Sequence, residues 1–111
     1  MFGRRETASA EITREGLQQA LTGESPPLVI DVRTPEEYAQ GHIPQARLIP
    51  LARLEASFRT LPADQPIVCV CRSGSRSGVA TRLLRASGLQ ARNLVGGMLT
   101  WKGSVVTGMG G

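Results

Sequence analysis

Between Cys71 and Ser77 the chain reads Cys-Arg-Ser-Gly-Ser-Arg-Ser, a thiol followed by six residues that are either small or cationic. A loop of this kind that curls into a helix N-terminus turns several backbone N–H groups inward and forms a nest for an anion. The sulfur of Cys71 is expected at its centre. Inward dipoles, with the charges of Arg72 and Arg76 close by, favour thiolate over thiol, and such settings lower a cysteine pKa from about 8.5 to roughly 3.5–7.5. The chemistry on offer is nucleophilic attack and anion binding near neutral pH. Ser73, Gly74 and Ser75 let the backbone bend tightly around the sulfur, and Gly74 is free to take a positive φ.

Such a loop needs a rigid element on each side. Ahead of it, Pro66-Ile67-Val68-Cys69-Val70-Cys71 reads as a buried strand. Behind it, from about Ser77, the residues Val79, Ala80, Leu83 and Leu84 mark a helical stripe, with Gly88 where a helix C-terminus wants a left-handed residue. Leu28 to Val32 is a second apolar run, broken by Asp31, which must be paired or exposed. Thr34-Pro35-Glu36-Glu37 starts a helix with an N-cap, a proline at the first position and a capping box closed by Glu37; Gly41 stops it.

The remaining elements follow the same alternation. Thr13 caps a helix whose Leu17, Ala20 and Leu21 share a face, and Gly23 with Pro26-Pro27 ends it. Ala46 to Ile49 reads as a strand, and Leu51, Leu54 and Phe58 mark a helix face that Leu61-Pro62 ends. Ala91 to Val95 is another strand, and Gly96-Gly97 leads into a short helix with Met98 and Trp101. The Gly-rich tail from Gly103 has little to hold it. Strand and helix alternating at this spacing imply parallel pairing with right-handed crossovers. The expected fold is a three-layer α/β domain, with a central, mostly parallel sheet of about five strands flanked by helices. It spans residues 11–103, between flexible ends at 1–10 and 104–111. Ligands of such sheets bind beyond the carboxyl ends of the strands, where Cys71 lies.

With 111 residues, 41% hydrophobic and 20% charged, the chain has the size and composition of one globular domain. Its net charge of +4 favours anionic small molecules or acidic partners. Nucleic acid is not expected, because the arginines are scattered among only four aromatic residues with no recognition-helix or zinc-finger spacing. Cys69 and Cys71 make neither a disulfide framework nor a metal pattern, which fits a reducing compartment and a cytoplasmic location. Arg4-Arg5 precedes no apolar stretch that would make an export signal, and no run approaches the length of a membrane span.

Taken together, five separated segments resemble the rhodanese-like family. Ile30-Asp31-Val32-Arg33 looks like its strand motif, and Glu36-Glu37-Tyr38 with Gly41-His42-Ile43-Pro44 is similar to its first block. Cys71 to Ser77 looks like its six-residue active loop; Asn93-Leu94-Val95-Gly96-Gly97 and Trp101 resemble the closing motif. The resemblance runs from about Glu11 to Trp101. It implies ping-pong sulfur transfer without metal or organic cofactor: the Cys71 thiolate takes the outer sulfur of an anionic donor such as thiosulfate or polysulfide, becomes a persulfide, and passes that sulfur to a thiol, a protein acceptor or cyanide.

Other readings of the same residues stand beside this one. The related fold also carries phosphatases and arsenate reductases whose loop reads C-x5-R, but here position 77 is serine and the arginine falls one residue early. A binding module that delivers sulfur to, or docks on, a partner is a second class, since fold does not guarantee activity. A piece of a longer protein is a third. Cys69 is expected in the core, with a redox role left open. His42, the only histidine, is expected in a structural turn rather than as a base. Asp31 is expected to hold the loop or a neighbouring turn, and Arg33 either to do the same or to touch the donor. Trp101 is expected in the core or at the pocket rim. Gly110-Gly111 matches the end of sulfur-carrier proteins, but strand–helix alternation argues against their β-grasp fold.

Overall fold

In the strand that leads into the loop, side chains alternate between two buried faces. Ile67, Cys69 and Cys71 belong to one apolar cluster and Val68 and Val70 to the other, so the strand is covered on both sides, as a central parallel strand requires. The computed structural model describes residues 10–109; residues 1–9 of the stretch 1–10 expected to be flexible, and the Gly110-Gly111 end, lie outside the described residues.

The sheet has five strands: β1 (Glu11–Ile12), β2 (Leu28–Asp31), β3 (Ala46–Leu48), β4 (Ile67–Val70) and β5 (Ala91–Leu94), in the order β1-β5-β4-β2-β3, with every pairing parallel. β1 is only two residues long and was not located from the sequence; it is held at the edge by Asn93 and Val95, whose N–H groups donate to Ala10 and Ile12. Asp31 of β2 pairs in register with Val70 of β4, which puts the acid and the start of the Cys71 loop at the same edge.

Among the described residues, five α-helices cover the sheet: α1 (Arg14–Leu21), α2 (Pro35–Gln40), α3 (Leu54–Ser57), α4 (Ser75–Ala86) and α5 (Gly97–Thr100). The Thr34 capping box is formed in full, with Pro35 at the start of α2. The helix expected around Leu51, Leu54 and Phe58 is broken, a single α turn between two 3-10 turns. Leu54 and Ala80 with Leu84 lie in the cluster beneath α3 and α4, whereas Leu17 and Tyr38 lie in the cluster on the opposite face. Full burial of each such large side chain contributes roughly 1.5–3 kcal/mol.

Two expectations need correcting. α4 begins at Ser75, and its inward stripe is Ser77, Ala80, Thr81 and Leu84, while Val79 and Leu83 stand exposed. The helix is rotated so that the face carrying Ser77 turns towards the sulfur. The tail is also held where little was expected to hold it. Val106 pairs with His42 as an isolated antiparallel bridge, both hydrogen bonds at 2.9 Å, and the Gly108 N–H donates to the Ala39 carbonyl at 2.8 Å. Among the described residues no helix is long and apolar enough to cross a membrane.

Candidate active site

β4 ends at Val70 and α4 starts at Ser75, so only four residues reverse the chain between strand and helix. The turn is made at Gly74, with φ 103°, a left-handed conformation that a side chain would strain. No side chain caps α4 there. The Gly74 N–H at the helix start is instead turned on Cys71, 3.1 Å from its Sγ, and the side-chain hydroxyl of Ser77 joins it at 3.2 Å.

The loop is backed from behind. The Cys71 and Arg72 carbonyls accept from the Met98 and Leu99 N–H groups at 2.9 and 3.0 Å. This close approach is open only to glycine at 97, where φ is +56° and a Cβ would fall onto those two carbonyls. Asn93 at the end of β5 closes the network. Its Nδ2 donates to the Gly74 carbonyl at 3.0 Å, and the Ser77 hydroxyl lies 2.6 Å from its Oδ1. From the sequence, Asn93, Gly97 and Glu37 were visible only as parts of motifs. Their contacts reach across 16 to 39 residues, and no local pattern signals that.

The Cys71 side chain is 1% exposed. Burial is the largest influence on its thiol and pushes the pKa up, but hydrogen bonds from the Ser77 hydroxyl and from the Ser77, Gly74 and Ser73 amides outweigh it, so the thiol lies below its ordinary value. The cause is the nest of donors. The arginines, expected to favour the thiolate directly, stand differently. Arg76 is committed to Glu37 through a two-armed ion pair of 2.7 and 2.9 Å, which holds the Glu37 carboxyl down at about 2 and raises the Arg76 guanidinium. Arg72 is exposed. It lines a cleft of about 260 Å³ with Arg33, Glu37, Gln40, Gly41, Met98 and Leu99, smaller than the sites of drug-sized ligands. Ser73 and Ser75 are both exposed.

The supporting residues separate. Asp31 and Arg33 form a buried pair at 2.7 Å, and the Arg33 Nη2 also donates to the Gly41 carbonyl at 2.8 Å, so the pair ties the end of β2 to the turn after α2. His42 is fully buried, its ring stacked 3.6 Å from that of Tyr38. Its Nδ1 lies 2.8 Å from the Tyr38 carbonyl, which only accepts, so Nδ1 carries the proton. Nothing brings His42 to Cys71; it anchors the turn and the tail. Trp101 donates to the Ser104 carbonyl and lines a different cleft, with Gln18, Pro44 and Gln45, rather than the one beside Arg72. Cys69 is fully buried among core residues, and its thiol is pushed up to about 11, first by burial. Among the described residues no group of three or more His, Cys, Asp or Glu could hold a metal ion.

A five-stranded parallel sheet with helices on both faces, bearing at the carboxyl end of a central strand a six-residue loop wrapped around a thiol, defines a class of protein by its architecture and site together. The chain belongs to the rhodanese-like domain family, whose model matches residues 13–104. It is 39% identical over 92 residues to a sulfurtransferase of Allochromatium vinosum, covering 82% of this chain and 86% of that protein. It is 37% identical over 93 residues to a putative sulfurtransferase of Bacillus subtilis, covering 84% and 90%. The crystal structure of a rhodanese-like domain protein from Staphylococcus aureus superposes with a TM-score of 0.83 at 33% identity, over 89% of this chain and 98% of that one.

Proposed function

We propose that the chain transfers a sulfane sulfur through a persulfide on Cys71. The observation that carries this reading is a buried thiol whose burial penalty is overcome by hydrogen-bond donors converging on its sulfur from Ser73, Gly74 and Ser77. Donors arranged in this way stabilise negative charge on sulfur and need no dedicated base, in keeping with the place of His42 in the turn after α2 rather than at the loop.

The steps balance without an external oxidant or reductant. The Cys71 thiolate attacks the outer sulfur of thiosulfate; a new S–S bond forms, the old one breaks, and sulfite leaves with its electron pair. The persulfide anion then occupies the nest. An acceptor nucleophile, cyanide or a thiolate, attacks the outer sulfur and the Cys71 thiolate departs, giving thiocyanate or a persulfide of the acceptor. Arg72, exposed at the small cleft, is the cation placed to meet an anionic donor. Arg76 supports the loop through its pairing with Glu37. That engagement also argues against phosphoryl transfer, which needs an arginine turned into the loop at the position held here by Ser77.

The test is the intact mass of the purified protein after thiosulfate and then cyanide. Wild type is expected to gain one sulfur and lose it as thiocyanate. Cys71→Ser gains none, with turnover reduced at least about a thousandfold. A Cys71→Ser chain that still turns over thiosulfate ends this reading.

A further inference from the structure

The Ser77 hydroxyl carries one proton and faces two acceptors. It lies 3.2 Å from the Cys71 Sγ and 2.6 Å from the Asn93 Oδ1. The orientation of the Asn93 amide is not free: its other arm meets the Gly74 carbonyl at 3.0 Å, and a carbonyl only accepts, so Nδ2 faces Gly74 and Oδ1 faces Ser77. One hydroxyl proton cannot serve a thiolate and a carbonyl oxygen at once.

Two arrangements satisfy these positions. With Cys71 as a thiol, its S–H donates to the Ser77 oxygen and the Ser77 O–H donates to Asn93, so every group is paired. With Cys71 as a thiolate, the Ser77 O–H turns to sulfur and the Asn93 oxygen loses its donor. Leaving a partly buried acceptor unsatisfied costs free energy, so Asn93 opposes the loss of the Cys71 proton. Once a persulfide has formed, the charge sits on the outer sulfur and the Ser77 proton is free to return to Asn93.

Resting on Cys71 as the nucleophile, we propose that Asn93 is a positioning residue that acts on the sulfur through the Ser77 hydroxyl, holding its proton in the thiol and persulfide states and yielding it to the thiolate. Asn93 does not line the small cleft beside Arg72. The Gly74 turn does not depend on it alone, because the Gly74 carbonyl also accepts from the Gly78 N–H at 3.0 Å, a bond of α4 itself. The other ionisable groups around the sulfur are Cys69 on the same strand, Arg76 of α4 with its partner Glu37 of α2, Arg72 of the loop, and Asp31 with Arg33 at the end of β2. The first is protonated deep in the core, and Arg76 with Glu37 and Asp31 with Arg33 are closed ion pairs.

The test is a coupling experiment on the thiol itself, read as the rate of Cys71 alkylation by iodoacetamide across pH, with alkylation assigned to Cys71 by peptide mass. Asn93→Ala removes the competing acceptor. It is expected to raise the rate about three- to tenfold at pH values below the thiol pKa in the chain with Ser77, and to leave it unchanged in a Ser77→Ala chain. Asn93→Asp keeps and strengthens the acceptor. It is expected to lower the rate, and to lower it more in the chain that keeps the Ser77 hydroxyl than in the Ser77→Ala chain. Opposite signs for the two variants are not produced by a merely loosened loop, and folding is checked by circular dichroism. Equal changes in the two backgrounds, or a fall in rate on Asn93→Ala, overturn the proposal. The readout needs no sulfur donor, so failure of sulfur transfer and failure of this coupling are separate results.

Discussion

Cys69 and Cys71 lie two residues apart on one strand face, in the same apolar cluster, 0% and 1% exposed. Their thiols are nevertheless driven in opposite directions, Cys69 up to about 11 and Cys71 below its ordinary value. Burial is the largest influence on both, and on both it favours the neutral thiol. The difference lies in the donors. Cys69 stands inside the strand, where the backbone N–H groups are spent on the ladder, and the neighbouring Thr81 hydroxyl donates to the Ser77 carbonyl at 2.8 Å. Cys71 stands just past the ladder's end, where the amides of a turn and of an uncapped helix start converge on its sulfur. A displacement of two residues along the chain therefore changes a core thiol into an anion-stabilised one.

The comparison is broken most severely from behind the loop. Gly97→Ala places a Cβ against the Cys71 and Arg72 carbonyls at a positive φ. It is expected to cost at least about 3 kcal/mol in denaturant unfolding and to bring Cys71 alkylation close to that of an ordinary buried thiol. A variant as stable and as reactive as wild type would show that the backing of α5 does not shape the nest.

Ser77→Ala removes the one side-chain donor that reaches Cys71 among the described residues. Losing that donor is expected to raise the Cys71 pKa and to slow Cys71 alkylation about tenfold at pH values below the thiol pKa, read from the pH dependence of alkylation. The same change has a sign in stability. A thiol whose pKa is lowered on folding contributes stability that is fully present above its ordinary unfolded value and is lost as the pH falls through the folded value. Ser77→Ala is expected to shrink that alkaline contribution, seen as a smaller gain in unfolding free energy between neutral pH and pH values above the unfolded value.

Cys69→Ala sharpens the contrast from the other side, with the smallest effect. It is expected to cost about 1 kcal/mol of stability through the cavity it leaves, while alkylation and sulfur loading at Cys71 stay within about twofold of wild type. A collapse of sulfur loading in a folded Cys69→Ala chain would place Cys69 in the chemistry after all.

Much of this molecule is legible along the chain because the relevant forces are local. The apolar runs of β2 and β4, the Thr34–Glu37 capping box and Gly74 announce themselves through composition and short spacing, and the alternation of strand and helix points to a parallel sheet. The position of Cys71 at a strand's carboxyl end followed from the same pattern. β1 escaped because two residues carry no periodicity, and the segment from Leu51 to Thr60 because short apolar spacing does not distinguish α from 3-10 turns.

What only the folded chain decided is how distant polar groups choose partners. From the sequence, Arg72 and Arg76 are equivalent loop cations; in the structure Glu37, 39 residues away from Arg76, takes it and leaves Arg72 exposed at a small cleft. Trp101 and the nest are neighbours in motif order, yet the tryptophan lines another cleft. The tail from Ser104 to Met109, without a periodic pattern, is held by backbone hydrogen bonds to Ala39 and His42 that no side chain encodes. The residue types and their spacing along the chain determined which thiol has a loop around it. Which donors and ions reach that thiol was decided by sheet order, because hydrogen bonds and ion pairs act over about 3 Å in space and carry no trace of separation in sequence.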